Sequence, residues 1–557
     1  MPIPSRWTTQ IPKISLPSWV FGSPFAPLLD YTVYVDADQP VTHRLSFEDY
    51  RLWSKKVGLG LVNAGLCPGD RVMFFSGNHL LFPCIFMGVI MAGGVFTGAS
   101  PASTSRELAS QLADSGPTFL IVASYVFPVA LDAADQVGFP RSHIYVFDES
   151  ITGDPSDLGG AEQHWTQLVA ADDEAQAFQW VEPLDPASAP CCLNYSSGTE
   201  GPPKGVQSTH SNYVATGEAA MFQHNLSRKA RPQDQPGNAL CFLPLYHAAA
   251  QTVYAVDYPK IGATTYMMRT FNFQQMLQCI ERFGITELLV APPIIQALIS
   301  APLASQYDLS SVKAIYCGTA PLSLDVCRKA TQLWPEGQVN IQQAWGMTEL
   351  TGVGASGSSL DPSSPASVGE VAPNAIIKLM GADGEITQPN VHGEIWFTGP
   401  MLMKGYWHNE EATQATIVEE DGTRWLKTGD IAYVDSYRPG AKIFIVDRVK
   451  ELIKVKGFQV APAELEAALL ECPGVIDAGV IGVRIEDAEA PRAYIVKAAT
   501  SNATEQDLAE WVEKRFTKHK WLRGGVVFLD KIPRSPAGKI LRRTLRERAR
   551  EEVGTEI

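Results

Sequence analysis

The apolar positions of this chain fall into short runs that alternate between helical and strand-like spacing. Over 46–64, Phe47, Leu52, Val57 and Leu61 supply the apolar positions of a helix, with Ser46 placed to cap it and Gly65 to end it. The run 71–75 reads as a strand, and so do 119–123, 189–193, 288–291 and 312–316. Helix-like stretches, 294–299 and 322–334, follow the last two. Such alternation predicts parallel sheets flanked by helices. No fixed-period repeat is present. The longest apolar segment, 80–98, is broken by Pro83, Gly88, Gly93 and Gly94, whereas a membrane span needs about 20 uninterrupted apolar residues. A packed helix running into a buried strand explains it, and no membrane span is expected.

The texture changes near residue 390. Runs at 393–397, 425–427 and 443–446 are short and separated by Gly and Asp turns, the pattern of a small antiparallel barrel. The stretch 447–456 is dense in charge and reads as a solvated connector or as a linker that also bears function. Beyond it come a helix over 462–470 with Pro462 at its start, strands near 478–483 and 493–496, and a helix over 505–519. That is enough for a separate α+β module.

Composition narrows the class. A chain of 557 residues exceeds one compact core, and 45% apolar with 19% charged residues fits a globular protein. A formal net charge of −15 argues against nucleic acid as a partner. Nine cysteines, with Cys191 and Cys192 adjacent, show neither metal-ligand spacing nor a disulfide framework. With no secretory pattern at the start and Gly554-Thr555-Glu556-Ile557 rather than Ser-Lys-Leu at the end, a reduced cytoplasmic compartment is expected.

The strongest chemical signal is Tyr195-Ser196-Ser197-Gly198-Thr199-Glu200-Gly201-Pro202-Pro203-Lys204-Gly205, directly after the strand 189–193. Backbone N–H groups, hydroxyls and one lysine in such a loop suit a phosphate. No Gly-Lys-Ser/Thr opens a helix, so it is not a P-loop, and its composition alone also suits a plain turn. Further segments are Leu243-Pro244-Leu245-Tyr246-His247-Ala248, Gln342-Gln343-Ala344-Trp345-Gly346-Met347-Thr348-Glu349, Thr428-Gly429-Asp430 and Asp447-Arg448. Lys454-Val455-Lys456-Gly457-Phe458-Gln459-Val460 and Pro533-Arg534-Ser535-Pro536-Ala537-Gly538-Lys539-Ile540 complete the set. In this order the chain resembles the adenylate-forming superfamily of acyl-CoA synthetases, 4-coumarate–CoA ligases, beetle luciferases and peptide-synthetase adenylation domains. It is most similar to acyl- or aryl-CoA ligases.

The resemblance implies an α/β fold. A large N-terminal domain, 1–446, would hold two parallel-sheet α/β subdomains plus a small β-barrel near 390–446. A mobile α+β domain, 447–557, would be hinged near Asp447. It also implies roles. Ser196, Ser197, Gly198, Thr199 and Lys204 would hold phosphates, with Thr199 and Lys204 acting in catalysis. Gly318, Thr319, Ala320, Gln343, Trp345, Gly346 and Thr348 would bind the adenylate, with Trp345, where the family normally has Tyr, offering a flat face to adenine. Asp430, an acceptor-only carboxylate, suits the ribose diol, and Arg448 would lie beside it. Glu349 would be the catalytic-site ligand of Mg²⁺. Lys539 would bridge the attacking carboxylate and the α-phosphate; without its motif it would be an ordinary exposed lysine. Lys454, Lys456, Gly457 and Phe458 would meet CoA, the two lysines alternating onto one side of a strand.

Tyr246, His247, Ala249, Ala250, Val253, Gly318, Gly352 and Val353 would line the acid pocket, with His247 also counted among the catalytic residues, although it reads equally as a buried structural histidine. Small, uncharged positions there favour an aryl, cinnamoyl-like or medium-chain acid over acetate or an amino acid. The expected reaction makes an acyl-AMP from carboxylate and MgATP and passes the acyl group to CoA. Alternatives are transfer to a carrier protein or amine, luciferase-like oxidation, and a degenerate nucleotide-binding member. Glu200 and the pair Pro202-Pro203 depart from the family loop, and Glu200 is the one feature in favour of degeneracy. A Rossmann dehydrogenase is poorly supported, because no strand leads into Gly-x-Gly-x-x-Gly.

Overall fold

A computed structural model describes residues 1–148, 163–196, 203–230, 236–318, 322, 324–357, 366–455, 458–485, 488–536 and 538–553. Ser197, Gly198, Thr199, Thr319, Ala320, Lys456 and Gly457 of the expected site lie outside the described residues, as do Glu200 and Pro202.

The alternating runs form two mainly parallel sheets. The first is ordered Gly405–Tyr406, Lys204–Thr209, Pro190–Ser196, Val95–Ala99, Arg71–Phe75, Phe119–Ala123, Ile144–Phe147, Gln163–His164. Its strands are parallel from Pro190–Ser196 onward, and Lys204–Thr209 returns antiparallel with Lys204 opposite Ser196. Val95–Ala99 and Phe119–Ala123 are buried at every position, as strands covered on both faces must be. The second sheet holds nine strands, parallel from Thr32–Asp36 across to Asn340–Met347. Thr32–Asp36 joins it across more than 200 residues of sequence, a pairing that no local pattern announces.

The helix expected over 46–64 runs from Phe47 to Asn63, and Ser46 and Asp49 close a reciprocal capping box at its start. The broken apolar segment becomes the helix Phe82–Met91, buried throughout, and the strand Val95–Ala99. Among the described residues no helix is long and apolar enough to cross a membrane. The antiparallel strands expected near 390–446 form a seven-stranded sheet with Ile3–Pro4 as one edge, around its own core.

After the strand Ile443–Arg448, the chain builds a small α+β unit. Its strands are longer than the sequence pattern implies: Val475–Ile485 pairs with Ala488–Lys497, and Val526–Phe528 adds in parallel. Helix Pro462–Leu470 packs on this hairpin around a separate apolar cluster. The helix expected over 505–519 stops at Glu513, because Thr517 is extended and opens a short 3₁₀ turn, Lys518–Lys520.

Close backbone packing fixes helix Phe47–Asn63. A Cβ at Gly60 would stand 2.1 Å from the Leu168 carbonyl oxygen. Gly60→Ala, which helix propensity alone would make stabilising, is therefore expected to lower unfolding stability by about 1–3 kcal/mol. Urea denaturation checks the sign, and a midpoint that rises would refute the packing argument.

Candidate active site

The Thr428-Gly429-Asp430 segment is a bulge in the strand Thr423–Val434. Glu394 pairs with Ile431 while Trp396 pairs with Lys427, so three residues on one strand face one on the other. Gly429 takes φ +71°, a left-handed conformation suited to glycine, and its N–H donates to Glu394 at 3.0 Å. The Thr428 hydroxyl donates to the Ile395 carbonyl at 2.7 Å. The bulge aims the buried Asp430 carboxylate at the cleft between the large and small units. There Oδ1 lies 3.1 Å from Arg448 Nε and Oδ2 accepts from the Trp345 indole N–H at 2.8 Å. Trp345 is thus nearly buried, its ring held between Asp430 and the strand Gly352–Ser356, as well as lining the cleft.

The cleft encloses a cavity of about 530 Å³. The N-terminal side contributes Trp345, Gly346, Asp430, Asp447 and Arg448, and the C-terminal unit contributes Lys539. Lys539 reaches it on a tight loop: Ser535 N–H donates to the Lys539 carbonyl at 2.8 Å, and Gly538 turns at φ +86°. Arg534 braces that loop by donating to the Gly538 carbonyl at 2.7 Å and pairing with Asp477 at 2.7 Å. Desolvation, then the nearby Arg448 charge, pulls the Lys539 ammonium down to about 8, against the pull of Asp430.

Asp447 ties the two units together. Its backbone pairs with Ile431 in the antiparallel sheet, while its Oδ2 accepts the Ala463 N–H at 2.9 Å. It thereby caps helix Pro462–Leu470, whose own N-cap residue, Ala461, has no side chain for the task. Burial raises the Asp447 carboxyl and the Arg542 charge opposes that rise.

A second buried carboxylate, Glu349, accepts the Tyr406 hydroxyl at 2.9 Å. Lys204 Nζ sits 4.9 Å above the same tyrosine ring, so Tyr406 joins the expected phosphate lysine to the expected metal ligand. Among the described residues no cluster of three His, Cys, Asp or Glu side chains could hold a metal ion. One carboxylate still fits Mg²⁺, which is bound through one or two carboxylates with substrate phosphates and water completing its shell.

Other expected residues are placed as follows. The Gln343 side-chain amide forms a two-way bond with the Leu322 backbone, accepting at 2.8 Å and donating at 3.0 Å, so it anchors that segment. Gly346 faces the cleft, and Thr348 opens the short turn Thr348–Leu350 that carries Glu349. Gly318 follows the strand Ala314–Cys317 with its N–H on the Val290 carbonyl.

Tyr246 packs over Gly98 and takes a hydrogen bond from Ser100 at 3.1 Å, and the His247 ring is 4.7 Å from that of Tyr246. Desolvation drops the His247 imidazole to about 4. Ala249 is exposed and Ala250 is buried in the first core, so only the former has a free face. Gly352, at φ +137°, lies against Thr216 and Thr252, with Val353 beside it. Val253 belongs to a π-helical turn, Thr252–Asp257, between short α-helical pieces, a distortion common at functional sites that no sequence signal marked.

Lys454 and Phe458 stand apart. They occupy the paired strands Ile453–Val455 and Phe458–Val460, both are exposed, and neither lines the cavity. Phe458 stacks on His519 at 4.5 Å. Residues that the sequence did not single out include Tyr406, Glu451, Glu466, Asp477 and Arg542. The charge density of 447–456 pointed toward Glu451, whereas Tyr406 carried no local signal.

Comparison with known proteins agrees with this geometry. The AMP-binding enzyme family model matches residues 27–407, and the model of the AMP-binding enzyme C-terminal domain matches 464–539. An acyl-CoA synthetase of Alternaria alternata is 35% identical over 94% of this chain and 89% of its own. A 4-coumarate–CoA ligase of Pinus taeda is 37% identical over 90% of this chain and 89% of its own. The crystal structure of ATP-bound MatB from Rhodopseudomonas palustris shares the fold, with a TM-score of 0.81 at 22% identity over 97% of this chain and 99% of that one. Two joined catalytic units, one cleft between them and these matches together place the chain in the AMP-binding, adenylate-forming family of enzymes.

Proposed function

We propose that this enzyme joins an aryl, cinnamoyl-like or medium-chain carboxylic acid to CoA in two steps through an acyl-AMP. The observation that carries the reading is that Lys539 of the small unit and Asp430 and Arg448 of the large one line a single cavity. In the first step a carboxylate oxygen attacks the α-phosphorus of ATP, and the α–β bridging oxygen leaves with pyrophosphate. Two anions must approach and negative charge gathers on the phosphoryl oxygens, so a cation held at the meeting point lowers the barrier. Lys539 fills that role. Asp430 receives the ribose hydroxyls, Lys204 neutralises the leaving phosphates, and Glu349 would hold Mg²⁺, which screens phosphate charge when it arrives with ATP.

In the second step the CoA thiol, as thiolate, attacks the acyl carbonyl and AMP departs. Lys539 lines the cleft cavity whereas Lys454 and Phe458 do not, so in this orientation only the first faces the acyl group. Rotation about Asp447 would withdraw the first and present the second. Neutral His247 and Tyr246 border the acid, and the absence of a carboxylate in 243–248 disfavours an amino acid substrate.

The most informative test is pyrophosphate release across a panel of carboxylic acids, with and without CoA. Acid-dependent release with an acyl-CoA product is expected for aryl or medium-chain acids, and release that no acid stimulates would refute ligase turnover. Lys539→Ala should slow acyl-AMP formation by about 10²–10³-fold, the usual size of a lost transition-state contact. It should leave thioester formation from supplied acyl-AMP intact. In the native enzyme, kcat/KM for ATP in the first step should fall as pH rises through about 8, because the Lys539 cation is lost in that direction. A profile flat from pH 7 to 9.5 would contradict the assignment.

Gly538 supplies a separate check on orientation. A Cβ there would meet Ala291 of the large unit at 2.8 Å. Gly538→Ala adds left-handed backbone strain at φ +86° to this clash and is therefore expected to disfavour the docked position of Lys539 and slow acyl-AMP formation at least about tenfold. Equal slowing of both half-reactions would point to simple unfolding of the loop.

A further inference from the structure

Resting on the reading that the cleft takes ATP, we propose that Trp345 is a positioning residue for ribose recognition, acting through Asp430. A carboxylate offers about four lone-pair sites, two on each oxygen. Here the Trp345 indole N–H uses one site on Oδ2, at 2.8 Å, and the Arg448 guanidinium forms an ion pair with Oδ1, Nε lying 3.1 Å away and covering at most one of its sites. At least one site on each oxygen is left, which matches a vicinal diol that donates two hydrogen bonds. The two protein donors also fix the carboxylate plane, so the free sites point in set directions into the cavity that Trp345, Asp430 and Lys539 share.

The surroundings are built to hold the indole in this position. Trp345 is 6% exposed, and its ring packs tilted against Phe397 at 6.1 Å between centroids. A Cβ at Gly354 would stand 2.7 Å from the far edge of the indole. Glycine there leaves room for a ring as large as tryptophan while its N–H reaches Asp430. A phenyl ring could offer adenine a flat face but not this donor.

Trp345→Phe separates the two functions. A buried hydrogen bond to a charged group contributes about 1.5–3 kcal/mol, equivalent to roughly 10–150-fold in kcat/KM. Pyrophosphate release is measured with ATP, 2′-deoxyATP and 3′-deoxyATP at saturating acid. The native enzyme is expected to prefer ATP, and Trp345→Phe to lose at least tenfold with ATP but clearly less with the deoxynucleotides, so the preference shrinks. In an Asp430→Ala background the same substitution should leave the preference where it is.

If Trp345→Phe depresses all three nucleotides by one factor, Trp345 serves only as packing or as an adenine platform, and the proposal fails. It fails too if the native enzyme shows no preference for ATP over either deoxynucleotide. Should Trp345→Phe not fold, the same ratio in Gly354→Ala, which pushes on the indole and keeps its N–H, decides: a shrunken preference supports the proposal and an unchanged one overturns it. A native enzyme that releases no pyrophosphate with any acid would instead refute the ligase reading itself.

Discussion

One buried carboxylate, Asp447, sets where Lys539 stands. Its main chain belongs to the large unit through the pair with Ile431, and its side chain belongs to the small unit through the Ala463 N–H. Burial disfavours its charge and holds the carboxyl above its usual range, and the Arg542 charge with the Ala463 and Arg448 N–H groups offsets this only in part. Arg542 in turn donates two bonds to Glu466, and the Glu466 carboxylate accepts the Val480 N–H from the central hairpin. Helix Pro462–Leu470, strand Val475–Ile485 and the C-terminal helix Arg542–Val553 are thereby locked into one body. Breaking one member of such a buried charge network costs about 3–5 kcal/mol. Lys539 lies three residues before Arg542, so its position follows from that of Asp447.

The network also says which contacts have to change for the small unit to turn. Arg542, Glu466, Glu451 and Arg546 all lie beyond Asp447 in sequence and bond to one another. They move together. Among the described residues, the contacts between the two units at the cleft include the cap from Asp447, the close approach of Gly538 to Ala291 and the packing of helix Pro292–Ser300 near strand Val475–Ile485. A body that is rigid within and attached at its edge is what a rotation between two steps requires.

Much of this could be read from the sequence because the governing signals were local. The Ser46 cap, the interrupted apolar segment 80–98 and the strand 71–75 are each decided by residues a few positions apart, and each formed as expected. The Thr428-Gly429-Asp430 tripeptide is weak by itself and is singled out only by its place in the order of motifs; the bulge that it forms appears in the strand register alone. What the sequence withheld was long-range. Tyr406 meets Glu349 across 57 residues, and Trp345 meets Asp430 across 85. From the sequence Trp345 was a flat face for adenine; that its N–H edge serves a carboxylate depends on a register between two sheets. The strand Thr32–Asp36 and the π turn at Thr252–Asp257 went unread because neither has a periodicity of its own.

The charges in the cleft are arranged around an anion that brings its own. Arg448 and Lys539 share the cavity wall, and their mutual repulsion, added to desolvation, is why the lysine holds its proton less firmly than usual. A triphosphate entering the cleft reverses that balance, because each anionic oxygen near Nζ favours the ammonium form. Protonation of Lys539 and binding of the nucleotide are therefore linked, each strengthening the other. Once pyrophosphate leaves, part of the negative charge that held the lysine in place leaves with it. The ion pair between Arg448 and Asp430 does not depend on that charge, so on the proposed reading the ribose contact would persist while the attraction on Lys539 weakens, and release of the lysine would follow from the first reaction's product.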